Sequence, residues 1–375
     1  MLFKEIPGLQ SIKNLLIQSV ARNKVAHGLL LDGYPGAGNL ALAWAFATYL
    51  FCENRQADDA CGQCPSCRKM ANLAHPDFHL VFPFAKTHDK DDRKLAEQYL
   101  PEWRKFMEIS PYQTLTQWLQ FLKADNRQAL ISVEEARNII RKLVLKSYEG
   151  GYKILLIWKP ELMNPSSANA LLKVLEEPTA KTIFILVSDQ SQKLLPTIIS
   201  RVQQIWVPRF TDEEVRAYLT ETLQMTDEKR ISEIIYLSDG NLAEALTLSR
   251  VSSDDRQHWF QQWMRDAYKK DLTSLVDQSN EFDKLPKEKQ KDLLEYSLRV
   301  FRDIALLKTN ATALVRAGEG QRNFLNNFAN TINVRYIPPI VNEISTACYH
   351  IESNVKAKIV FLDLSLTLCQ LLKKD

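Results

Sequence analysis

The sequence predicts an α/β fold: a parallel five-stranded sheet with helices on both faces, followed by segments that are helical throughout. Three observations predict it. Short apolar runs at residues 28–31, 78–82, 153–157, 183–187 and 204–207 read as strands. Helical patterns separate several of them, and short apolar strands alternating with helices imply a parallel sheet covered on both sides. After about Pro208 the strand signals stop, and helical periodicity runs to the end.

The first strand, Gly28-Leu29-Leu30-Leu31, ends at Gly33, and Ala41 to Leu50 reads as the helix that follows. Phe78 to Phe82 is the second strand. Ser132 and Glu135 form an S-x-x-E capping box that opens a helix to about Leu145. Lys153 to Ile157 is the third strand. Asn164 then caps a helix with Pro165 in its first turn; Ala168, Leu171, Leu172 and Leu175 keep helical spacing, and Pro178 stops it. Ile183 to Val187 and Gln204 to Val207 complete the sheet. Thr211 to Thr222 and Arg230 to Leu248 read as helices. The last helix, from about Asn354 to Leu372, is apolar on more than one face, through Ile359, Phe361, Leu362, Leu364, Leu366, Leu368 and Leu371. Such a helix belongs in a large core or a subunit interface. The stretch from about Pro83 to Arg127 carries a charged run, His88 to Lys94, and two tryptophans, Trp103 and Trp118. It is too long for a bare loop in a compact domain and reads as an inserted helical element.

The chain has 375 residues, long enough for two or three domains, and 25% of them are charged. A net charge of +3 is too weak by itself to argue for nucleic acid. The N-terminus lacks the apolar core of a signal peptide, and the longest apolar stretch, Ile359 to Leu372, is interrupted by Asp363, so a cytoplasmic location is expected. Six cysteines are present, four of them close together; Cys348 and Cys369 lie in apolar helical sequence and read as core residues.

Gly33-Tyr34-Pro35-Gly36-Ala37-Gly38-Asn39-Leu40 sits between a strand and a helix, with the G-x-x-x-x-G spacing of a phosphate loop. Glycines there let backbone N–H groups curl around phosphate at a helix N-terminus. A working loop continues with a lysine for the β- and γ-phosphates and a Ser or Thr for Mg²⁺. Here those positions hold Asn39 and Leu40. Where a carboxylate pair would follow the strand Ile154–Ile157, the sequence gives Trp158 and Lys159, neither of which can hold Mg²⁺. Productive ATP binding is not expected.

Cys52-x₈-Cys61-x₂-Cys64-x₂-Cys67 supplies four soft ligands suited to tetrahedral Zn²⁺ in a closed, structural site. An iron–sulfur cluster is a competitor, because C-x₂-C-x₂-C also opens ferredoxin runs. Free thiols are the bland alternative.

Beyond these motifs the chain carries Asn169-Ala170-Leu171-Leu172-Lys173-Val174-Leu175-Glu176-Glu177-Pro178, then Gln192-Lys193-Leu194-Leu195-Pro196 and Ile198-Ile199-Ser200-Arg201. With Ile6-Pro7-Gly8-Leu9-Gln10 and His27 to Gly33, these resemble the AAA+ clamp loader subunits of bacteria. The resemblance covers about residues 1 to 250; the C-terminal helices match mainly in length and in the final helix. In that family N-A-L-L-K-x-L-E-E-P is a near-signature and Ser-Arg-Cys is the arginine-finger motif, which ends here in Val202. The segment from about Pro83 departs from the family pattern.

The resemblance implies an AAA+ domain over 1–208 with a zinc module at 52–67 and an insertion at 83–127. It also implies a helical lid over 209–254 and a helical collar for oligomerisation over 255–375. Motor subunits of the family keep the lysine, the carboxylates and a nucleotide-sensing arginine; the delta-prime type loses them and keeps Ser-Arg. Asn39, Leu40, Trp158, Lys159 and Ala243 therefore point to the delta-prime type, with no ATPase of its own. By the resemblance, Arg201 acts in trans on a neighbour's ATP with Ser200 in support, and the four cysteines hold structural zinc. Gly33, Gly36, Gly38, Asn39 and Leu40 form the decayed site. The implied partners are the motor (gamma/tau) and delta subunits of the DNA polymerase III clamp loader, with the sliding clamp and primer–template DNA reached through the complex. The competing functions are an active motor-type ATPase with an unusual phosphate loop, and a zinc-dependent DNA-binding module. The second is weakened by Asp58 and Asp59 inside the cysteine segment. His27, His75 and His79 have no partner at metal spacing and read as structural; Glu176 and Glu177, at a helix end before Pro178, read as packing and capping residues rather than acid–base catalysts.

Overall fold

The five apolar runs form strands β1 (Gly28–Gly33), β2 (Phe78–Val81), β3 (Lys153–Trp158), β4 (Thr182–Ser188) and β5 (Gln203–Val207). All pair in parallel, in the order β2-β3-β4-β1-β5. This is a computed structural model and describes residues 1–85, 94–124, 127–250, 254–315, 319–353 and 355–372. The charged run at 88–94, apart from Lys94, and the expected helix start at 354 lie outside the described residues.

Every residue of β3 and β4 is buried, as continuous apolar runs require when both faces are covered. β5 lies at the sheet edge and alternates instead, with Ile205 and Val207 inward and Trp206 about half exposed. Helix α1 (Gln10–Ala21) precedes β1, and α2 (Asn39–Phe51) follows it. α2 is apolar on every side and accordingly buried along its whole length. A short α3 (Pro65–Ala71) follows within the cysteine segment.

The inserted stretch is helical where it is described. It forms a 3₁₀ turn (Ala96–Tyr99), α4 (Leu100–Ile109) and α5 (Leu115–Phe121). Its tryptophans are the reason it folds onto the sheet. Trp103 and Trp118 are fully buried; Trp103 stacks on Phe82 at 4.1 Å, and Trp118 Nε1 donates to the Pro83 carbonyl at 2.8 Å. Trp103 also meets Trp158, the last residue of β3, at 5.0 Å.

Helix α6 (Val133–Val144) begins at Ser132, whose Oγ accepts the Glu135 N–H at 3.1 Å. Only this half of the expected capping box forms. The Glu135 carboxylate is buried and instead accepts the N–H of Ala96, at 2.6 Å, fastening the insert to α6. Helix α7 (Pro165–Glu176) is capped by Asn164, whose Oδ1 accepts the Ser167 N–H at 2.8 Å. A short α8 (Pro196–Ile199) leads to Ser200 and Arg201.

The stretch expected as a helix from Thr211 to Thr222 is α9 (Asp212–Ala217) continued by a π turn over Tyr218–Thr222, with Thr211 and Glu214 forming a reciprocal cap. The stretch from Arg230 to Leu248 is two helices, α10 (Glu228–Ser238) and α11 (Leu242–Ser249), not one. Asp239 and Gly240 between them both take positive φ, which ends a helix.

The chain divides into two compact units, Met1–Gln224 with Ser238–Leu246, and Met225–Leu237 with Thr247–Asp375. Residues 209–254 are thus shared between them. The second unit is built from α10 and from α12 (Asp254–Lys269), α13 (Leu272–Lys284), α14 (Lys287–Lys308), α15 (Glu319–Ala329), α16 (Ile337–Glu352) and α17 (Ala357–Leu371). Within it Phe361 stacks on Phe282 and meets Trp263 at a tilt, and Trp263 Nε1 donates to Ser365 Oγ at 2.9 Å. α17 buries Val360, Phe361, Leu364, Leu368 and Cys369 but leaves Ile359 and Leu366 exposed. Cys348 is only half-buried.

Candidate functional site

In an open parallel sheet the ligand crevice lies at the carboxyl ends of the strands, where strand order reverses. Here those ends bring together Gly33, Trp158 with Lys159, and Ser188 with Asp189. In the loop from Tyr34, Gly36 and Gly38 have φ of +73° and +86°, and Gly38 caps α2. No side chain fits at Gly36, because a Cβ would lie 1.9 Å from Asn241 Oδ1. The sequence-predicted residues of this loop are therefore together, and their surroundings decide what they can do.

Asn39 is buried and turned towards the sheet, its Nδ2 donating to the Ser188 carbonyl at 3.2 Å. Its Oδ1 has no protein partner. Leu40 is buried. Lys159, only 5% exposed, takes a left-handed backbone conformation and ion-pairs with Asp189. Glu161 accepts from Ser188 Oγ at 2.9 Å, and burial pushes its carboxyl above the usual range. Lys159 thus brings to the end of β3 a positive charge that Asp189 neutralises. The third wall of the pocket comes from the insert, as Pro111, Tyr112 and Gln113. Tyr112 is buried edge-on to Phe210 and Tyr218, and its hydroxyl also has no protein partner. About 20 Å³ remains between the three walls, room for roughly one water molecule.

The four cysteines form one cluster. Their sulfurs lie within 4.8 Å of one another, with Cys52 to Cys61 at 3.5 Å and Cys61 to Cys67 at 3.9 Å. Those separations are far beyond the ~2.05 Å of a disulfide. They match the ~3.8 Å edge of a tetrahedron with metal–sulfur bonds of about 2.3 Å. Backbone N–H groups point at the sulfurs, from Cys61 to Cys52, from Gln63 and Cys64 to Cys61, and from Cys67 to Cys64. The N–H groups of Gln63 and Cys64 pull the Cys61 thiol down to about 6, whereas burial pushes the thiols of Cys52 and Cys67 up. The donor set fits a closed site for one soft divalent ion.

Arg201 lies at the opposite end of the sheet, beside the starts of β1 and β5, in a groove of about 490 Å³ lined by His27, Leu175, Glu176, Ser200 and Val202. Its guanidinium donates to the Thr197 carbonyl at 2.7 Å and to Ser200 Oγ at 3.3 Å, and ion-pairs with Glu176. Ser200 is thus in contact with the arginine. Glu176, expected to pack or cap, is half-exposed and is the arginine's counter-ion; Glu177 occupies the C-cap. His75 is buried, stacked on Phe51 at 3.9 Å and 3.1 Å from a Glu149 carboxylate oxygen. Burial lowers the His75 pKa, and burial beside Lys142 and Lys153 lowers that of His79 to about 4. None of these histidines joins the cysteine cluster.

Sequence reasoning missed Tyr112 and Asp189. Neither belongs to a motif, and only the folding of the insert and of the β4 end brings them to the loop.

A family model described as DNA polymerase III, delta subunit, matches residues 8–211, more than half of the chain. DNA polymerase III subunit delta' of Pseudomonas aeruginosa is 30% identical over 220 residues, covering 59% of this chain and 55% of that protein. The same subunit of Escherichia coli is 25% identical over 242 residues, covering 64% and 60%. The chain thus spans little more than half the length of these curated relatives. DNA polymerase III subunit tau of Bacillus subtilis is 23% identical over 329 residues, covering 82% of this chain and 50% of that one. Among solved structures, a gamma subunit-related protein of Thermotoga maritima aligns over 97% of this chain and 99% of its own at 14% identity and a TM-score of 0.42. On the family match and the delta' relatives together, the chain belongs to the delta-prime family of DNA polymerase III clamp loader subunits.

Proposed function

We propose that this chain is a non-hydrolysing stator of the clamp loader, which presents Arg201 to ATP bound by an adjacent motor subunit. The observation that carries the reading is the pairing of a filled phosphate loop with an arginine on an open groove. A loop with Asn39 and Leu40 in place of Lys and Ser/Thr, and Lys159 paired to Asp189, has neither the charge nor the oxygen ligands to hold Mg–ATP. Arg201 needs no such site in its own chain. Supplied in trans, an arginine spreads transition-state charge on the γ-phosphate and is worth roughly 10³–10⁵ in rate. Its partners in the groove are half-exposed and readily exchanged for phosphate oxygens.

The same reading places motor (gamma/tau) and delta subunits beside this chain, held through its C-terminal helices. The exposed Ile359 and Leu366 of α17 support an interface there. Closure of the ring around primer–template DNA opens the sliding clamp, and hydrolysis in the motor subunits releases it. Cys52, Cys61, Cys64 and Cys67 would hold a zinc ion, which ties the excursion after α2 into one module and takes no part in chemistry.

The test is reconstitution of the complex with Arg201→Ala. The chain alone should turn over no ATP. The mutant should assemble normally, hydrolysis stimulated by DNA and clamp should fall in part, and clamp loading should fall further. Equal loading rates at saturating ATP would refute the finger.

A further inference from the structure

The insert has no role in that reading, yet it touches the decayed site directly. Trp158, which stands at a metal-carboxylate position, packs against Trp103 of the insert, and Tyr112 lies in the pocket itself. The glycine loop, by contrast, keeps its positive-φ backbone, so its N–H groups retain the curvature that recognises phosphate. What closes the pocket is side-chain volume, since only about 20 Å³ remains beside Tyr112.

We infer that Tyr112 and the Lys159–Asp189 ion pair occupy the places of a nucleotide and its cation, so that the insert keeps the loop closed to nucleotide. The inference rests on the non-hydrolysing reading and adds a cause to it. Tyr112 fills the space beside the loop and bridges it to Phe210 and Tyr218, contacts that a bound nucleotide would otherwise have to supply. Lys159 neutralises Asp189 with a fixed ammonium group in place of an exchangeable divalent ion. Beneath Tyr112 lies a latent site for a diphosphate, weak because Asn39 carries no charge.

The experiment compares wild type, Tyr112→Phe, Tyr112→Ala and the milder Tyr112→Leu as full-length chains, with metal-free ADP as the probe. Calorimetric titration and thermal unfolding are the readouts. Wild type and Tyr112→Phe should show no ADP-dependent shift in Tm. Tyr112→Ala or Tyr112→Leu should bind ADP at least tenfold more tightly than wild type and gain a Tm shift. Hydrogen exchange at the Gly36–Leu40 amides gives a readout that no substitution can spoil: in wild type it should be unchanged by ADP. A folded truncation variant that binds ADP no better than wild type overturns the inference and leaves the non-hydrolysing reading standing. So does exchange at those amides in wild type that ADP slows. ATP turnover by the wild-type chain overturns the reading itself.

Discussion

The carboxylate of Glu176, at the end of α7, holds the guanidinium of Arg201, 25 residues later, in an ion pair at the mouth of an open groove. Both side chains are substantially exposed, and pairs of this kind contribute only about 0–1 kcal/mol. The arginine is therefore oriented at little cost and can leave for a stronger anion. Glu176→Gln removes the competing charge. In a reconstituted complex it should lower the ATP concentration for half-maximal hydrolysis, by up to roughly fivefold. A drop in activity to the level of Arg201→Ala would instead make Glu176 the residue that positions the arginine.

The sulfur cluster predicts about one zinc ion per chain and no iron. Cys64→Ser should release the metal, because it removes both a ligand and the sulfur that accepts the Cys67 N–H at the start of α3. Since structural zinc binding is itself folding free energy, protease should then cut within residues 52–72 first. Elemental analysis with limited proteolysis checks both points. A brown protein absorbing in the visible would favour the iron–sulfur alternative.

Burial pushes the Glu135 carboxyl up to about 7, although the Ala96 N–H offsets part of the effect. An acid whose pKa is raised on folding stabilises the fold fully below its unfolded value near 4.3, and that contribution is lost as pH rises towards 7. Glu135→Gln keeps an acceptor for Ala96 and cannot ionise. It should raise stability above neutral pH by roughly 1–3 kcal/mol and flatten the stability profile between about pH 4.5 and 7. Urea denaturation at several pH values measures it; an unchanged profile would show that the carboxyl titrates normally.

Trp103 sits between Phe82, Trp118 and Trp158, and joins the insert to the end of β3. Trp103→Ala should cost about 3–5 kcal/mol by leaving a cavity that a rigid sheet cannot collapse. The midpoint of chemical denaturation should fall accordingly. A loss below 1 kcal/mol would mean that the insert packs loosely on the sheet.

The strands were legible because a strand covered on both faces must be a continuous apolar run, a local property that 28–31, 153–157 and 183–187 display. The departures from a working phosphate-loop pattern were equally local, since Asn39, Leu40, Trp158 and Lys159 are read from the sequence alone, as are four cysteines in sixteen residues that could hold a metal. The break between α10 and α11 was passed over because apolar spacing continues across it, although Asp239-Gly240 is itself a turn signal and both residues take positive φ there. Tertiary structure alone decided what surrounds these residues. Glu135 abandons its own cap for Ala96, 39 residues earlier, Lys159 finds Asp189, and Tyr112 enters the pocket of a loop more than seventy residues upstream. No pattern within one element announces such pairings. They follow from the drive to bury Trp103 and Trp118, which carries the insert over the strand ends, and from the need of each buried charge for a partner within reach.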